Sequence, residues 1–303
     1  MKTRATLLLL IALLTSCGPA NEKSKGKPHI VATTGMLYDV VVNIVGNNMT
    51  TDVIMGPGVD PHLYKATPGD LDKLNQADII IYNGILLEGK MIDILKKLGR
   101  TKSITAAAES IPDSLLQSSA SYDDVYDPHV WFDVKRWRYV VKSINQTIID
   151  NDPDNTEFYQ KQTEAYLSKL DSLHDFAVSR VKEIPVGQRI LITAHDAFGY
   201  FGEAYGIKVE AIQGISTVAD FGLRDIVSLT DLIIEHKIKA IFIETSVSEK
   251  SINALVTGCR EKGHAVEIGG YLYSDAMGEF GTEEGTFIGM FKHNINTIVE
   301  SLK

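Results

Sequence analysis

Asp154 to Glu183, DNTEFYQKQTEAYLSKLDSLHDFAVSRVKE, is the stretch on which the reading of the fold turns. It contains neither glycine nor proline, and its apolar residues fall at Phe158, Ala165, Tyr166, Leu170, Leu173, Phe176, Ala177 and Val181. Spacings of three, four and seven draw one stripe along a helix. Asp152-Pro153-Asp154 supplies a start signal, and Pro185 with Gly187 a stop. A continuous helix of this extent is about 45 Å long, enough to run the height of two domains and join them. The alternative is two shorter helices with a break near Ser172. Flexible strands between domains permit wide hinging, whereas one rigid helix predicts that they move little.

On both sides of this segment, short apolar runs alternate with amphipathic ones. Before it, strands are read at Ile30–Thr33, Asp52–Met55 and Asp78–Tyr82, with helices at Met36–Val45, Pro68–Asn75 and Lys90–Leu98. After it, strands are read at Arg189–Thr193, Lys208–Ile212, Ala240–Glu244 and Ala265–Ile268. The helices there are Asp196–Tyr205, Leu223–His236, Glu249–Glu261 and Thr286–Leu302. Such alternation predicts parallel sheets covered by helices. The expected fold is α/β: two lobes, each a mostly parallel sheet flanked by helices, joined by one long rigid helix. Expected boundaries are 28–153 for the N-terminal lobe, 154–184 for the linking helix and 185–303 for the C-terminal lobe. The halves share architecture, not a sequence repeat.

The first residues read as a targeting segment. Lys2 and Arg4 precede an apolar run from Leu7 to Leu14, followed by Leu14-Thr15-Ser16-Cys17. A basic start, a short apolar core and small residues before a cut describe a signal peptide, 1–16. The run is too short to span a bilayer, which takes roughly 20 apolar residues. Small residues directly before Cys17 resemble a bacterial lipobox, and that resemblance implies a lipid on its sulfur. The alternative is an ordinary signal peptide cut nearby. Residues 17–27 read as a tether. A net charge of −9 leaves no basic footprint for nucleic acid. Beyond Cys17 the sole cysteine is Cys259, so no intramolecular disulfide can form, and its helical context reads as a small buried residue.

Three segments place a histidine where an apolar run meets a loop: Gly58-Val59-Asp60-Pro61-His62, Asp127-Pro128-His129-Val130-Trp131 and Thr193-Ala194-His195-Asp196-Ala197-Phe198-Gly199. Asp-Pro-His occurs twice in a chain with only 8 histidines, which separates His62 and His129 from incidental histidines. Proline stiffens the backbone on which each is presented. Neutral imidazole suits zinc and other divalent first-row metals, and carboxylate suits harder ions such as manganese. A carboxylate candidate is Asp275, reached from the strand Ala265–Ile268 through a glycine-containing loop. Ligand sites of parallel α/β sheets lie beyond the carboxyl ends of strands. His195 and Asp275 are therefore expected on one rim of the second lobe, facing His62 and His129 of the first. Candidate acids to orient the imidazoles are Asp60, Asp133, Glu210 and Glu244. His29, His174, His236, His264 and His293 read as structural or surface residues.

These motifs, with Gln213-Gly214-Ile215-Ser216-Thr217 and Ser274-Asp275, resemble the TroA-like metal-binding solute-binding proteins of ABC transporters over essentially the whole chain beyond the tether. The resemblance implies two α/β lobes, a long backbone helix and one metal ion in the cleft. It carries the ligand roles to His62, His129, His195 and Asp275. It further implies an exported monomer, anchored to a membrane through lipid on Cys17, that hands manganese or zinc to a permease and its ATPase. Many manganese receptors of this group carry glutamate where this chain has His195. Many zinc receptors carry a histidine-rich acidic loop before the second ligand, whereas Ser110 to Asp127 has acidic residues and no histidine. The choice between manganese and zinc stays open. An exported zinc hydrolase would keep a water on the metal, but nothing resembles HExxH. A surface adhesin would lack support from any repeat or stalk.

Overall fold

The computed structural model describes residues 26–118, 125–219 and 221–303. The expected signal peptide, Cys17 and most of the tether lie outside the described residues.

The first lobe is built from β1 (His29–Ala32), α1 (Gly35–Val45), β2 (Thr50–Val53), α2 (Pro68–Gln76), β3 (Ile79–Tyr82), α3 (Ile92–Leu98) and β4 (Ser103–Ala106). Its sheet has the order β2-β1-β3-β4, every pair parallel, with Val31 opposite both Asp52 and Ile80. Ile30, Val31, Ala32, Ile79, Ile80 and Ile81 are all buried, as strands covered on both faces require. Two helices follow, α4 (Val134–Asn151) and α5 (Thr156–Val181). The second lobe then runs β5 (Ile190–His195), α6 (Gly199–Tyr205), β6 (Lys208–Gln213), α7 (Leu223–Glu235), β7 (Ala240–Glu244), α8 (Lys250–Glu261), β8 (Glu267–Leu272) and α9 (Phe287–Leu302). β5 pairs with β6 and β7 with β8, all parallel, and β5 lies beside β7. The resulting succession β6-β5-β7-β8 repeats the winding of the first lobe. This is the expected two-lobed α/β fold.

α5 is one unbroken helix through Ser172, whose hydroxyl donates to the carbonyl of Ser168 at 3.2 Å. Its buried stripe is rotated slightly from the expected one. Tyr159 and Thr163 are buried, while Phe158 is half exposed and lies against Gly46. The Tyr159 hydroxyl donates to Asp152 Oδ2 at 2.5 Å, giving the larger, polar-tipped ring a partner inside.

The principal core is continuous between the lobes. It gathers α1, α4, α5 and α9 around Trp131, Phe132, Trp137 and Phe198. Trp137 stacks on Phe287 at 5.3 Å and 13°, and Phe132 on Phe198 at 4.3 Å and 28°. Cys259 is buried in a separate core of the second lobe. Among the described residues no helix is long and apolar enough to cross a membrane.

The structure corrects four details. β4 and α4 were not anticipated. α6 begins at Gly199 rather than Asp196, because Asp196-Ala197-Phe198 forms a turn in which the Ala197 N–H donates to the His195 carbonyl at 3.0 Å. β8 extends through Gly269 and Gly270, which had read as a loop. A Cβ on Gly269 would come within 2.8 Å of Phe242, and one on Gly270 within 2.7 Å of Thr297. These glycines mark close approach of β8 to its neighbours rather than a turn.

Candidate metal centre

The two Asp-Pro-His segments fold alike at the backbone. Oδ1 of Asp60 accepts the His62 N–H at 2.8 Å, and Oδ1 of Asp127 accepts the His129 N–H at 2.9 Å. Each aspartate thus bridges its proline and fixes the following histidine, a local side-chain-to-backbone turn. The remaining contacts differ. Oδ1 of Asp127 also lies 2.6 Å from Nδ1 of His129. Oδ2 of Asp60 instead accepts the hydroxyl of Thr217, across the cleft, at 2.6 Å. The His129 loop is tied down from both lobes: Asn83 Nδ2 donates to the Pro128 carbonyl at 3.1 Å, and Tyr200 to the Asp127 carbonyl at 3.0 Å.

In the second lobe His195 is the last residue of β5 and Glu244 the last of the neighbouring β7. The His195 N–H donates to Glu244 Oε1 at 2.8 Å, and Nδ1 of His195 lies 2.5 Å from Oε2. Asp275 follows β8 by three residues. Its neighbour Ser274 is held at the carbonyl by the indole of Trp131 at 3.0 Å and at the hydroxyl by Ser246, also at 3.0 Å.

These placements bring the four candidates together. Nε2 of His195 lies 3.2 Å from Asp275 Oδ2, Nε2 of His62 lies 3.5 Å from the same oxygen, and Nε2 of His129 lies 3.4 Å from Oδ1. One potential donor atom from each residue falls within 4.8 Å of all the others. His129 and His195 are wholly buried, Asp275 is 2% exposed and His62 4%. Neither oxygen of Asp275 nor either ring nitrogen of His195 makes a well-aligned hydrogen bond, the Nδ1 contact to Glu244 being one of ion-pair distance. Buried polar atoms without partners are costly in a finished fold. A carboxylate on Nδ1 leaves the Nε2 lone pair of His129 and of His195 directed at the common centre.

The electrostatics follow from the same contacts. Burial opposes charge on His129, but Asp127 and Asp275 overcome it and raise its pKa to about 9. Burial likewise opposes charge on His195, and Glu244 followed by Asp275 raises its pKa well above the usual histidine range. Burial would raise the Asp275 carboxyl, yet His195 and His129 hold it well below the usual carboxylate range. For His62, burial together with the neighbouring His129 and His195 outweighs the pull of Asp275 and pushes the pKa down to about 3.

Of the acids expected to orient imidazoles, Glu244 does so. Asp60 holds the His62 backbone rather than its ring. Asp133 instead caps α4, accepting the Lys135 N–H at 2.8 Å, and pairs with Arg136 at 2.5 Å. Glu210 pairs with Lys208 at 3.0 Å on β6. Asp127 was overlooked, although its place in the repeated Asp-Pro-His motif was the available signal. The other five histidines lie outside the cluster. His29 pairs with Asp52, His264 with the Ile238 carbonyl and His293 with the Tyr271 carbonyl.

Comparison with known proteins agrees with the fold and the motifs. The family model ZnuA, described as zinc-uptake complex component A periplasmic, matches residues 30–301. The manganese-binding lipoprotein MntA of Bacillus subtilis is 48% identical over 301 residues, covering 99% of this chain and 98% of that one. The zinc-binding protein TroA of Treponema pallidum is 42% identical over 299 residues, covering 97% and 96%. The solved structure of the T. pallidum periplasmic zinc-binding protein TroA superposes with a TM-score of 0.89, at 44% identity, over 91% of this chain and 99% of that one. With a family match that runs from β1 to the end of α9, the chain belongs to the ZnuA family.

Proposed function

We propose that this protein is an extracytoplasmic receptor that binds one divalent transition-metal ion, manganese or zinc, as its cargo and delivers it to the permease and ATPase of an ABC importer. The ligands are Nε2 of His62, His129 and His195 and the carboxylate of Asp275. The observation that carries this reading is the convergence of four buried donor atoms, two residues from each lobe, around carboxylate oxygens that no hydrogen bond satisfies. Family membership supports it, as do the names of two relatives above 40% identity, one manganese-binding and one zinc-binding. Three imidazoles and a carboxylate complete a tetrahedral set, so Asp275 takes the place that a catalytic water would need in a hydrolase. The protein is a carrier rather than an enzyme. It acts as a monomer, with lobes 28–153 and 185–303 about a linking helix 154–184, tethered to the membrane through lipid on Cys17. That anchor is supported by the lipoprotein in the name of the Bacillus relative.

Elemental analysis of protein from its native host, with a competition titration of manganese against zinc, tests the reading. One ion per chain is expected, with zinc displacing manganese at equilibrium because the divalent series favours it at a given nitrogen and oxygen site. Asp275→Ala should weaken binding strongly. Absence of stoichiometric metal, or unchanged affinity in that variant, would overturn the assignment.

A further inference from the structure

The four candidate ligands are not equally held. His129 and His195 each rest a ring nitrogen on a buried carboxylate, Asp127 and Glu244. Among the described residues no carboxylate lies against Nδ1 of His62. His62 is also the least buried of the four, so the centre is nearest to solvent on its side. Its position depends on Asp60, which accepts the backbone N–H of His62 at 2.8 Å and, more weakly, that of Leu63 at 3.4 Å. The other oxygen of Asp60 is engaged across the cleft by the hydroxyl of Thr217 at 2.6 Å. Thr217 sits in the connection between β6 and α7. In the same connection Val218 is 51% exposed, and Leu223 at the start of α7 is 87% exposed. Ser216 Oγ accepts the Val218 N–H at 3.3 Å, so the turn around Thr217 is locally ordered.

We propose that Thr217 and Asp60 form a latch: the Thr217 hydroxyl, by holding Asp60, keeps His62 on the ion, and breaking this one hydrogen bond opens the site for release. The inference rests on the metal-receptor reading above. Three ligands remain anchored when the latch opens, so the ion passes from four donors to three on the side nearest solvent. The connection between β6 and α7 therefore controls the rate of release without contributing a ligand, and Thr217 is a positioning residue.

The test compares full-length wild type with Thr217→Val and Thr217→Ser, each loaded with zinc alone and mixed with excess chelator in a stopped-flow instrument. Thr217→Val keeps the side-chain shape and removes the donor. It should release zinc about tenfold faster, the effect of losing one hydrogen bond to a charged group. Thr217→Ser should restore the wild-type rate. All three should bind one ion per chain, and the metal-free valine variant should melt close to wild type, because the bond joins two half-buried loops across the cleft rather than core elements. A valine variant that binds one ion and releases it within twofold of the wild-type rate would overturn the latch while leaving the site intact. A serine variant as fast as valine would also overturn it. Failure of wild type to bind stoichiometric zinc would overturn the receptor reading itself and the latch with it.

Discussion

Nε2 of His195 and Oδ2 of Asp275 face each other at 3.2 Å, both buried, without forming a hydrogen bond. Each comes from the carboxyl end of a strand in the same lobe, and together they form the second-lobe half of the centre. Asp275 is the one carboxylate among the candidate ligands, and it also balances positive charge on His195 and His129. Replacing Asp275 by Asn therefore has two effects. Metal affinity should drop on the order of a hundredfold or more, beyond the range seen for outer-shell partners. The metal-free protein should also lose stability near neutral pH in denaturant unfolding, by less than a fully unpaired buried charge would cost, since His129 and His195 lose one neighbouring carboxylate but keep Asp127 and Glu244. A variant with wild-type affinity by competition titration would contradict the first expectation.

In the proposed centre Asp127 and Glu244 are not ligands; they lie against Nδ1 of His129 and His195. Asp127→Asn and Glu244→Gln should each reduce metal affinity by about 10- to 100-fold, with one ion still bound at saturation. Asp133 gives the contrast. It lies on the same loop but caps α4, so Asp133→Ala should cost roughly 1 kcal/mol of stability and leave affinity unchanged. Parallel titrations of the three variants would separate orienting acids from a neighbouring structural one.

In the proposed centre, protons and metal would compete for the same nitrogens. The pKa of His129 is raised from 6.5 to about 9 in the metal-free fold. A raised pKa contributes stability that is fully present below the unfolded value of 6.5 and is lost as pH rises through about 9. A bound ion excludes that proton, so metal affinity should increase across the same window, by about tenfold per pH unit for each proton displaced. His62 is already neutral there, with its pKa near 3. The difference in melting temperature between loaded and metal-free protein should widen from pH 6.5 towards pH 9. A constant difference would show that no proton is displaced.

Much of this arrangement was readable from residue types, and the rest was hidden for definite reasons. The stripe in 154–183 predicts α5 because a helix lacking glycine and proline has few alternatives. The repeated Asp-Pro-His marks His62 and His129 because rigid backbone and imidazole rarely coincide twice by chance. α4 carries a helical stripe of Val134, Trp137, Val140, Val141, Ile144 and Ile148, but it follows the turn Val130–Phe132 with only its cap Asp133 between, so no glycine or separate loop marks its start. β8 was cut short at Gly269, since glycine in sequence signals a turn and only packing against Phe242 and Ser301 reveals its other use. The orienting acids were least legible. Glu244 reaches His195 because β7 lies beside β5, a relation of sheet order that no local pattern encodes.

The last expectation concerns motion. Wide closure of the two lobes would have to bend α5 or slide it against its neighbours. The Tyr166 hydroxyl donates to Asp39 of α1 at 2.8 Å, and Arg180 near the other end bonds Glu300 of α9 at 2.7 Å. Trp137 of α4 stacks on Phe287 of α9, so an aromatic contact ties helices that follow different lobes. Close-packed interiors do not deform continuously, and opening this core would expose several large aromatic side chains at once. Scattering curves of metal-free and metal-loaded protein should therefore superimpose, with no measurable drop in radius of gyration. Hydrogen exchange should locate the response in loops instead. Amides of Thr156–Val181 should exchange alike in both states, whereas those around His62 and Thr217, joined through Asp60, should slow on loading. A large contraction in scattering, or new protection along α5, would mean that the helix acts as a hinge rather than as a strut.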